Sequence, residues 1–287
     1  MYSKIAPYLK LVKFSHTVFA LPFALIGFFL AICKEDQSFQ PKLLFLVLLS
    51  MVFARNTAMG FNRYADAAID KKNKRTSGRE IPAGILSSRS AFLFVIINSL
   101  LFMTTTYFIN SLCFYLSPIA LFVILFYSYT KRFTALCHLV LGLGLALAPI
   151  GAYLAVTSYF SWLPLLFSFI VFAWVSGFDI LYALQDETFD SKNDLHSIPV
   201  LLGRENSMKL SRALHIISAV LILIAGWYGN FHFAYWIGAS VFITLLFYQH
   251  SLLSPQDISK INLAFGLTNG IASVVFGALT ILALFLA

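Results

Sequence analysis

The chain has 287 residues, of which 60% are hydrophobic and only 11% are charged. Soluble domains carry about a quarter of their residues as charged side chains, so this composition excludes a soluble globular protein. The three cysteines, Cys33, Cys113 and Cys137, lie in apolar surroundings without the spacing of a zinc site or a disulfide framework. We therefore expect an all-α polytopic protein that is embedded in a lipid bilayer.

Nine apolar segments are long enough to cross a bilayer, since a spanning helix needs about 20 apolar residues. Charged or turn-forming loops separate them, such as KEDQSFQPK after the first segment and SPQDISK after the eighth. We predict a single domain over residues 1–287 with nine spans, at 14–33, 43–66, 90–109, 112–129, 135–157, 162–186, 208–228, 232–249 and 262–286.

The basic residues predict the orientation of these spans. Sixteen of the twenty Lys and Arg residues fall in the N-terminal segment, in the loops after predicted helices two, four, six and eight, or, for Lys209 and Arg212, in the first residues of predicted helix seven. Positively charged loops prefer the cytoplasmic side of a membrane, so the N-terminus is predicted inside and the C-terminus outside. We attribute the net charge of +8 to this topology and expect no nucleic-acid partner.

The acidic residues are concentrated in two short stretches. Eight of the twelve lie within residues 66–80 or 179–194. In the first stretch Asn62, Asp66 and Asp70 recur every four residues, a spacing that places them on one face of a helix. Because paired carboxylates at a membrane surface are costly, this pattern indicates a functional site.

The second stretch repeats the pattern with Asp186 and Asp190, preceded by Asp179 and Tyr182. A loop with Ile-Pro and a later Gly follows each stretch, REIPAG in the first case and HSIPVLLG in the second. The weak match leaves open whether the chain contains a duplicated unit. Both stretches lie at predicted cytoplasmic helix ends, so they are expected on one face of the membrane.

Carboxylates surrounded by basic residues suggest an anion that binds together with its own cations. Mg²⁺ prefers oxygen ligands and is usually held by one or two carboxylates plus substrate phosphates. A Mg²⁺-bridged diphosphate, with Lys and Arg neutralising its remaining oxygens, uses every residue type present. The alternative for a single Asp is a helix cap or a local ion pair, such as Asp70 with Lys74. The surrounding basic residues are Lys71, Lys72, Lys74, Arg75, Arg79, Lys131 and Arg132.

Arg55 lies inside the second predicted helix, about two turns before Asn62. An unpaired cation at that depth is expensive. Two interpretations remain open for Arg55: it pairs with an Asp as part of the scaffold, or it binds an acidic substrate.

These motifs resemble the UbiA superfamily of intramembrane aromatic prenyltransferases. The run from Asn62 through Asp66 to Asp70, followed by KRTSGREIPAG, is similar to the first Asp-rich motif of that family. DILYALQD with ETFD is similar to the second motif, and SYTKR (128–132) is similar to a short basic segment after the fourth helix. One departure is Arg63, which stands where many members have Asp.

The resemblance implies helices around a central cavity with cytoplasmic capping loops. It also implies that a polyprenyl diphosphate binds with Mg²⁺ and loses diphosphate, and that the resulting allylic cation alkylates an aromatic ring. It implies that Asp179 and Tyr182 position the diphosphate. The residues it assigns to Mg²⁺-diphosphate are Asn62, Asp66, Asp70, Asp186 and Asp190. Those it assigns to the diphosphate or to an acceptor carboxylate are Lys74, Arg75, Lys131 and Arg132.

The expected acceptor is an aromatic carboxylate, either 4-hydroxybenzoate or a dihydroxynaphthoate, in ubiquinone or menaquinone biosynthesis. The expected location is a bacterial-type inner membrane, with the active site on the cytoplasmic side. Two other functions remain as alternatives: an ion- or proton-coupled transporter that uses the Asp clusters, and a phosphatidyl-group transferase. Transporter sites typically lie near the bilayer midplane on broken helices, whereas these Asp residues lie beside basic loops.

Overall fold

The structure, a computed structural model, describes residues 2–12 and 19–286. Every regular element within those residues is helical, as the composition predicts. The helices are α1 (Tyr2–Leu11), α2 (Leu21–Lys34), α3 (Pro41–Ala65), α4 (Ala67–Lys72), α5 (Ser88–Ile109), α6 (Ser111–Thr130), α7 (Cys137–Thr157), α8 (Trp162–Ala183), α9 (Glu187–Lys192), α10 (Ile198–Tyr228), α11 (Phe233–Ser251), a π-helical turn (Leu263–Thr268) and α12 (Asn269–Phe285).

Among the described residues, seven helical segments are long and apolar enough to cross a membrane, as expected of an integral membrane protein. They are α3, α5, α6, α7, α8, α10 and the continuous segment Leu263–Phe285. The other two predicted spans coincide with α2, which has 14 residues, and α11, which has 19. The total of nine spans therefore stays a prediction at those two places.

Three predicted boundaries differ from the observed helices by three residues or more, and the others agree within two residues. The first predicted span, 14–33, includes residues 14–18, which lie outside the described residues, and α2 begins at Leu21. The sixth span ends at Ala183 instead of residue 186. The seventh begins at Ile198 rather than 208. Ser197 caps this earlier start, and the helix continues past a kink at Gly203 through the polar residues that follow.

The helices group into two compact units. Of the described residues, the first unit comprises 2–12 and 42–130, and the second comprises 19–41 and 131–286. In the first unit α5 packs against α6. Asn56 on α3 donates from Nδ2 to Asn98 Oδ1 on α5 at 3.0 Å, an interhelical hydrogen bond of the kind that joins membrane helices. Helix α1 was not predicted, and it buries Leu11 against Ile81 and Leu86.

In the second unit α8 packs against α7 and α10, while α12 packs against α2 and α11. Trp174 of α8 is fully buried, with ring centroids of Phe23 and Phe242 5.4 Å and 5.3 Å away. Its indole N–H donates to Asn269 Oδ1 at 2.8 Å. Lipid tails are as apolar as these side chains, so close packing and interhelical hydrogen bonds stabilise this unit.

Candidate active site

The first acidic stretch lies at a break between two helices of the first unit. Helix α3 ends at Ala65 and α4 begins at Ala67, so Asp66 occupies the junction with φ −92° and ψ 3°. The Asp70 N–H still donates to the Asp66 carbonyl at 2.7 Å, which preserves the four-residue spacing across the break. Asn62 Nδ2 donates to Asp66 Oδ2 at 3.0 Å, so these two predicted site residues are in contact.

Asp70 lies on the short helix α4 and is only 6% exposed. Its charge is balanced by Arg79, whose Nη1 lies 2.7 Å from both carboxylate oxygens. The loop between them folds back because Thr76 Oγ1 donates to the Asp70 carbonyl at 3.2 Å. The alternative of a local Asp70–Lys74 pair is therefore corrected, since the ion-pair partner is Arg79; Lys74 and its neighbour Arg75 are exposed in the loop.

The second acidic stretch adopts the same local backbone in the second unit. Helix α8 ends at Ala183, and Asp186 precedes the six-residue helix α9 with φ −99° and ψ −3°. The Asp190 N–H donates to the Asp186 carbonyl at 2.7 Å, as Asp70 does to Asp66. Each short helix thus has one Asp at its start and one buried Asp at its fourth residue.

Asp190 has no exposed surface and forms an ion pair with Lys131, whose Nζ is 2.8 Å from Oδ1. Burial raises the pKa of the Asp190 carboxyl, and the ammonium group of Lys131 opposes that shift. The backbone supports this pair, because the His196 N–H donates to the Lys131 carbonyl at 2.8 Å. The structure therefore brings together two of the predicted residues, Lys131 and Asp190.

Asp179 and Tyr182 lie on the last turns of α8. Asp179 Oδ2 is 2.7 Å from His138 Nδ1 on α7. Tyr182 packs against Phe265 of the π-helical turn, with ring centroids 4.2 Å apart and ring planes inclined by 32°, and both line a small recess. Single π-helical turns occur frequently at functional sites, and this one lies beside a predicted site residue.

The three other arginines that the sequence analysis singled out differ in burial. Arg55 is partly buried within α3, and Arg132 is exposed beside Lys131. Arg63, the departure from the family motif, is 5% exposed. The residue that replaces Asp in the motif therefore contributes a buried positive charge to the first unit.

The chemistry of the acidic side chains fits Mg²⁺. Each cluster offers two carboxylates, and the first adds the amide oxygen of Asn62, so every donor is the hard oxygen that Mg²⁺ prefers. Among the described residues no group of three or more His, Cys, Asp or Glu side chains is arranged to hold a metal ion. Two carboxylates per cluster match an ion that keeps water ligands and takes the rest from substrate phosphates.

Two further residues emerge from the structure. Arg79 was counted only as one of several basic loop residues, and its pairing with Asp70 depends on how the loop folds back. His138 was not singled out at all. The signal for it was a polar side chain at the start of an apolar helix, which in a membrane protein often marks a functional position.

Comparison with known proteins shows which family the chain belongs to. The chain matches the UbiA prenyltransferase family over residues 20–286. It is 28% identical over 240 residues to a 4-hydroxybenzoate octaprenyltransferase of Tolumonas auensis, with 82% of each chain covered. It is 30% identical over 214 residues to a 4-hydroxybenzoate octaprenyltransferase of Haemophilus ducreyi, covering 72% of this chain and 74% of the relative.

Solved structures show the same fold. The apo structure of a UbiA homolog from Aeropyrum pernix K1 superposes with a TM-score of 0.84 at 27% identity, covering 93% of this chain and 97% of that one. A UbiA homolog from Archaeoglobus fulgidus bound to GPP and Mg²⁺ superposes with a TM-score of 0.77 at 21% identity, covering 97% and 99%. The all-helical membrane fold with two Asp-rich helix breaks defines an intramembrane prenyltransferase. This chain belongs to the UbiA prenyltransferase family, and it is a transferase rather than a transporter.

Proposed function

We propose that this enzyme transfers a polyprenyl group from polyprenyl diphosphate to an aromatic carboxylate in ubiquinone or menaquinone biosynthesis. The main support for this proposal is an arrangement that recurs in both units. In each, a helix breaks at an Asp, and a buried Asp four residues later is paired with a cation. The acceptor class is supported by the relatives named 4-hydroxybenzoate octaprenyltransferase. The acceptors we propose are 4-hydroxybenzoate or a dihydroxynaphthoate.

The proposed Mg²⁺ ligands are the side chains of Asn62, Asp66, Asp70, Asp186 and Asp190. The fold neighbour from Archaeoglobus fulgidus is described as bound to GPP and Mg²⁺, which supports metal use in this fold. When bound, Mg²⁺ would neutralise the negative charge that develops on the leaving diphosphate.

The protein's own cations act on the same charge. Lys131 already lies beside a buried carboxylate, and Lys74 and Arg75 are exposed in the loop that follows α4. We propose that these cations contact diphosphate oxygens, where electrostatic stabilisation lowers the barrier to loss of the leaving group. Asp179 and Tyr182 are proposed to position the diphosphate.

The aromatic acceptor needs a different contact. It is small and must present one ring carbon to the allylic cation, so its carboxylate has to be held in a defined orientation. An Arg side chain grips a carboxylate through two parallel hydrogen bonds, whereas Lys is a point charge. We propose Arg132 for this contact, with Arg55 as the second candidate.

A direct test uses membranes that contain the full-length chain. They are incubated with Mg²⁺, a labelled polyprenyl diphosphate and either 4-hydroxybenzoate or a dihydroxynaphthoate, and the product is identified by mass. We expect a prenylated aromatic carboxylate with one of the two acceptors, and no product in a chelator. Absence of product with both acceptors, in membranes that contain folded protein, would contradict the proposed function.

A further inference from the structure

His138 lies at the first turn of α7 and is 3% exposed. Its Nδ1 is 2.7 Å from Asp179 Oδ2 on α8, and the side chain of Asp179 is 24% exposed. The histidine is therefore shielded behind a carboxylate that still reaches accessible space. A buried histidine in this arrangement can orient the carboxylate without itself contacting a substrate.

The second ring nitrogen of His138 has a partner of its own. The backbone N–H of Ile198, at the start of α10, donates to His138 Nε2 at 3.4 Å. Nε2 must carry a lone pair in order to accept this hydrogen bond, so the ring proton resides on Nδ1. Nδ1–H then donates to Asp179, and the Ile198 contact specifies the tautomer that does so.

The surrounding backbone holds His138 in place. The preceding residue, Cys137, directs its thiol to the His196 carbonyl at 3.7 Å, and the His196 N–H donates to the Lys131 carbonyl. Lys131 in turn pairs with Asp190. The loop before α10 is thus bonded both to Lys131 and to the start of α7. His138 connects this loop, through Ile198, to Asp179 on α8.

We propose that His138 is a positioning residue, which fixes the carboxylate of Asp179 toward the prenyl diphosphate and links it to the start of α10. This inference rests on the proposed function, because the role of Asp179 in holding the diphosphate belongs to it. His138 acts through Asp179 and the loop, and it makes no contact with the reacting atoms.

The kinetic test compares three substitutions that keep different parts of the imidazole. His138→Asn keeps an N–H donor near the position of Nδ1, His138→Gln places an amide near Nε2, and His138→Leu keeps neither. In His138→Leu and His138→Gln we expect the KM for the prenyl diphosphate to rise about tenfold or more, because the hydrogen bond that is lost is to a charged group. The KM for the aromatic acceptor should stay near its wild-type value, and His138→Asn should recover most of the loss.

His215→Leu is the matched control, because His215 is equally buried and its Nε2–H donates to the Trp174 carbonyl rather than to a carboxylate. It should lower thermal stability without changing the KM for the diphosphate per folded molecule. Equal defects in all three His138 variants, in proportion to folded protein, would overturn the proposal. Fully additive effects of His138→Leu and Asp179→Asn on the KM for the diphosphate would overturn it as well.

A spectroscopic test does not depend on activity. The chain contains six histidines, so in ¹⁵N-histidine-labelled protein the His138 signal is the one missing from His138→Asn. We expect a proton on Nδ1 whose shift changes in Asp179→Asn, and an unprotonated Nδ1 would overturn the proposal. If the wild type forms no prenylated product but the Nδ1 signal is as expected, the proposed function fails while the His138–Asp179 geometry stands.

Discussion

One guanidinium nitrogen of Arg79 lies 2.7 Å from both carboxylate oxygens of Asp70, nine residues earlier in the chain. The side chain of Asp70 is 8% exposed and that of Arg79 is 22% exposed, so the pair is largely removed from water. A buried carboxylate is tolerated when a cation and hydrogen bonds compensate for its lost hydration. The buried Asp of the second unit, Asp190, has the same kind of compensation from Lys131.

Replacing Arg79 by Gln should destabilise the protein, because it leaves the Asp70 charge buried without its ion-pair partner. We expect the free energy of unfolding to fall by about 1–3 kcal/mol, measured by thermal or denaturant unfolding in detergent. The double variant Arg79→Gln with Asp70→Asn should regain stability and remain inactive. The control is Lys209→Gln, which removes an exposed ion pair with Glu205 and should leave stability close to that of the wild type. An equal loss in the control would contradict the argument from burial.

Asn in place of Asp66, Asp70, Asp186 or Asp190 keeps the size of the side chain and removes its charge. Each single substitution should reduce kcat/KM by about 10²-fold or more, since these carboxylates are the proposed Mg²⁺ ligands. A chelator should silence the wild type, and added Mg²⁺ should restore it. Asp36→Asn is the control, because Asp36 is exposed and its φ of 50° suits Asn. Full activity in any two of the four variants would refute the assignment.

Arg132→Lys should raise the KM for the aromatic acceptor far more than the KM for the prenyl diphosphate. A bidentate hydrogen-bonded contact to a carboxylate is lost, at a cost of about 1.5–3 kcal/mol. Arg55→Lys is measured in parallel, since Arg55 is the second candidate. An acceptor analogue without a carboxylate should be a poor substrate of the wild type and nearly insensitive to the substitution. Efficient use of carboxylate-free phenols would show that the site does not recognise a carboxylate.

Gly203 has φ 70° and ψ 171° inside α10, a region of backbone space that is essentially restricted to glycine. A Cβ at this position would meet no atom within 4 Å, so the penalty for Gly203→Ala comes from the backbone alone. We expect a loss of about 1–3 kcal/mol in unfolding free energy. Gly151→Ala is the matched control, because it has equal space and lies within α7 at a negative φ. It should be neutral or stabilising by up to about 1 kcal/mol.

The predicted topology places both acidic stretches on the cytoplasmic side. Reporter fusions at Lys74 and at Lys192 should therefore both give a cytoplasmic signal, because positively charged loops are retained on that side. A fusion in the loop at Asp36 is the control and should report the opposite side. A periplasmic signal at Lys74 or Lys192 would contradict the orientation inferred from charge.

The sequence by itself determined the class of protein and the location of its acidic clusters. Both depend on local patterns: the length of apolar runs specifies membrane helices, and four-residue spacing brings Asn62 into contact with Asp66 at the end of α3. The extra helical turns of α10 were missed, because polar residues such as Arg204 and Glu205 resemble a loop in a hydrophobicity profile.

Only the tertiary structure decided which partners hold the acidic side chains. Asp70 pairs with Arg79 rather than Lys74 because the loop turns back over α4, where Thr76 bonds to the Asp70 carbonyl. His138 meets Asp179 from 41 residues away, through the packing of α7 against α8. Periodicity along one helix carries no information about contacts between helices, because those depend on how closely packed surfaces fit together.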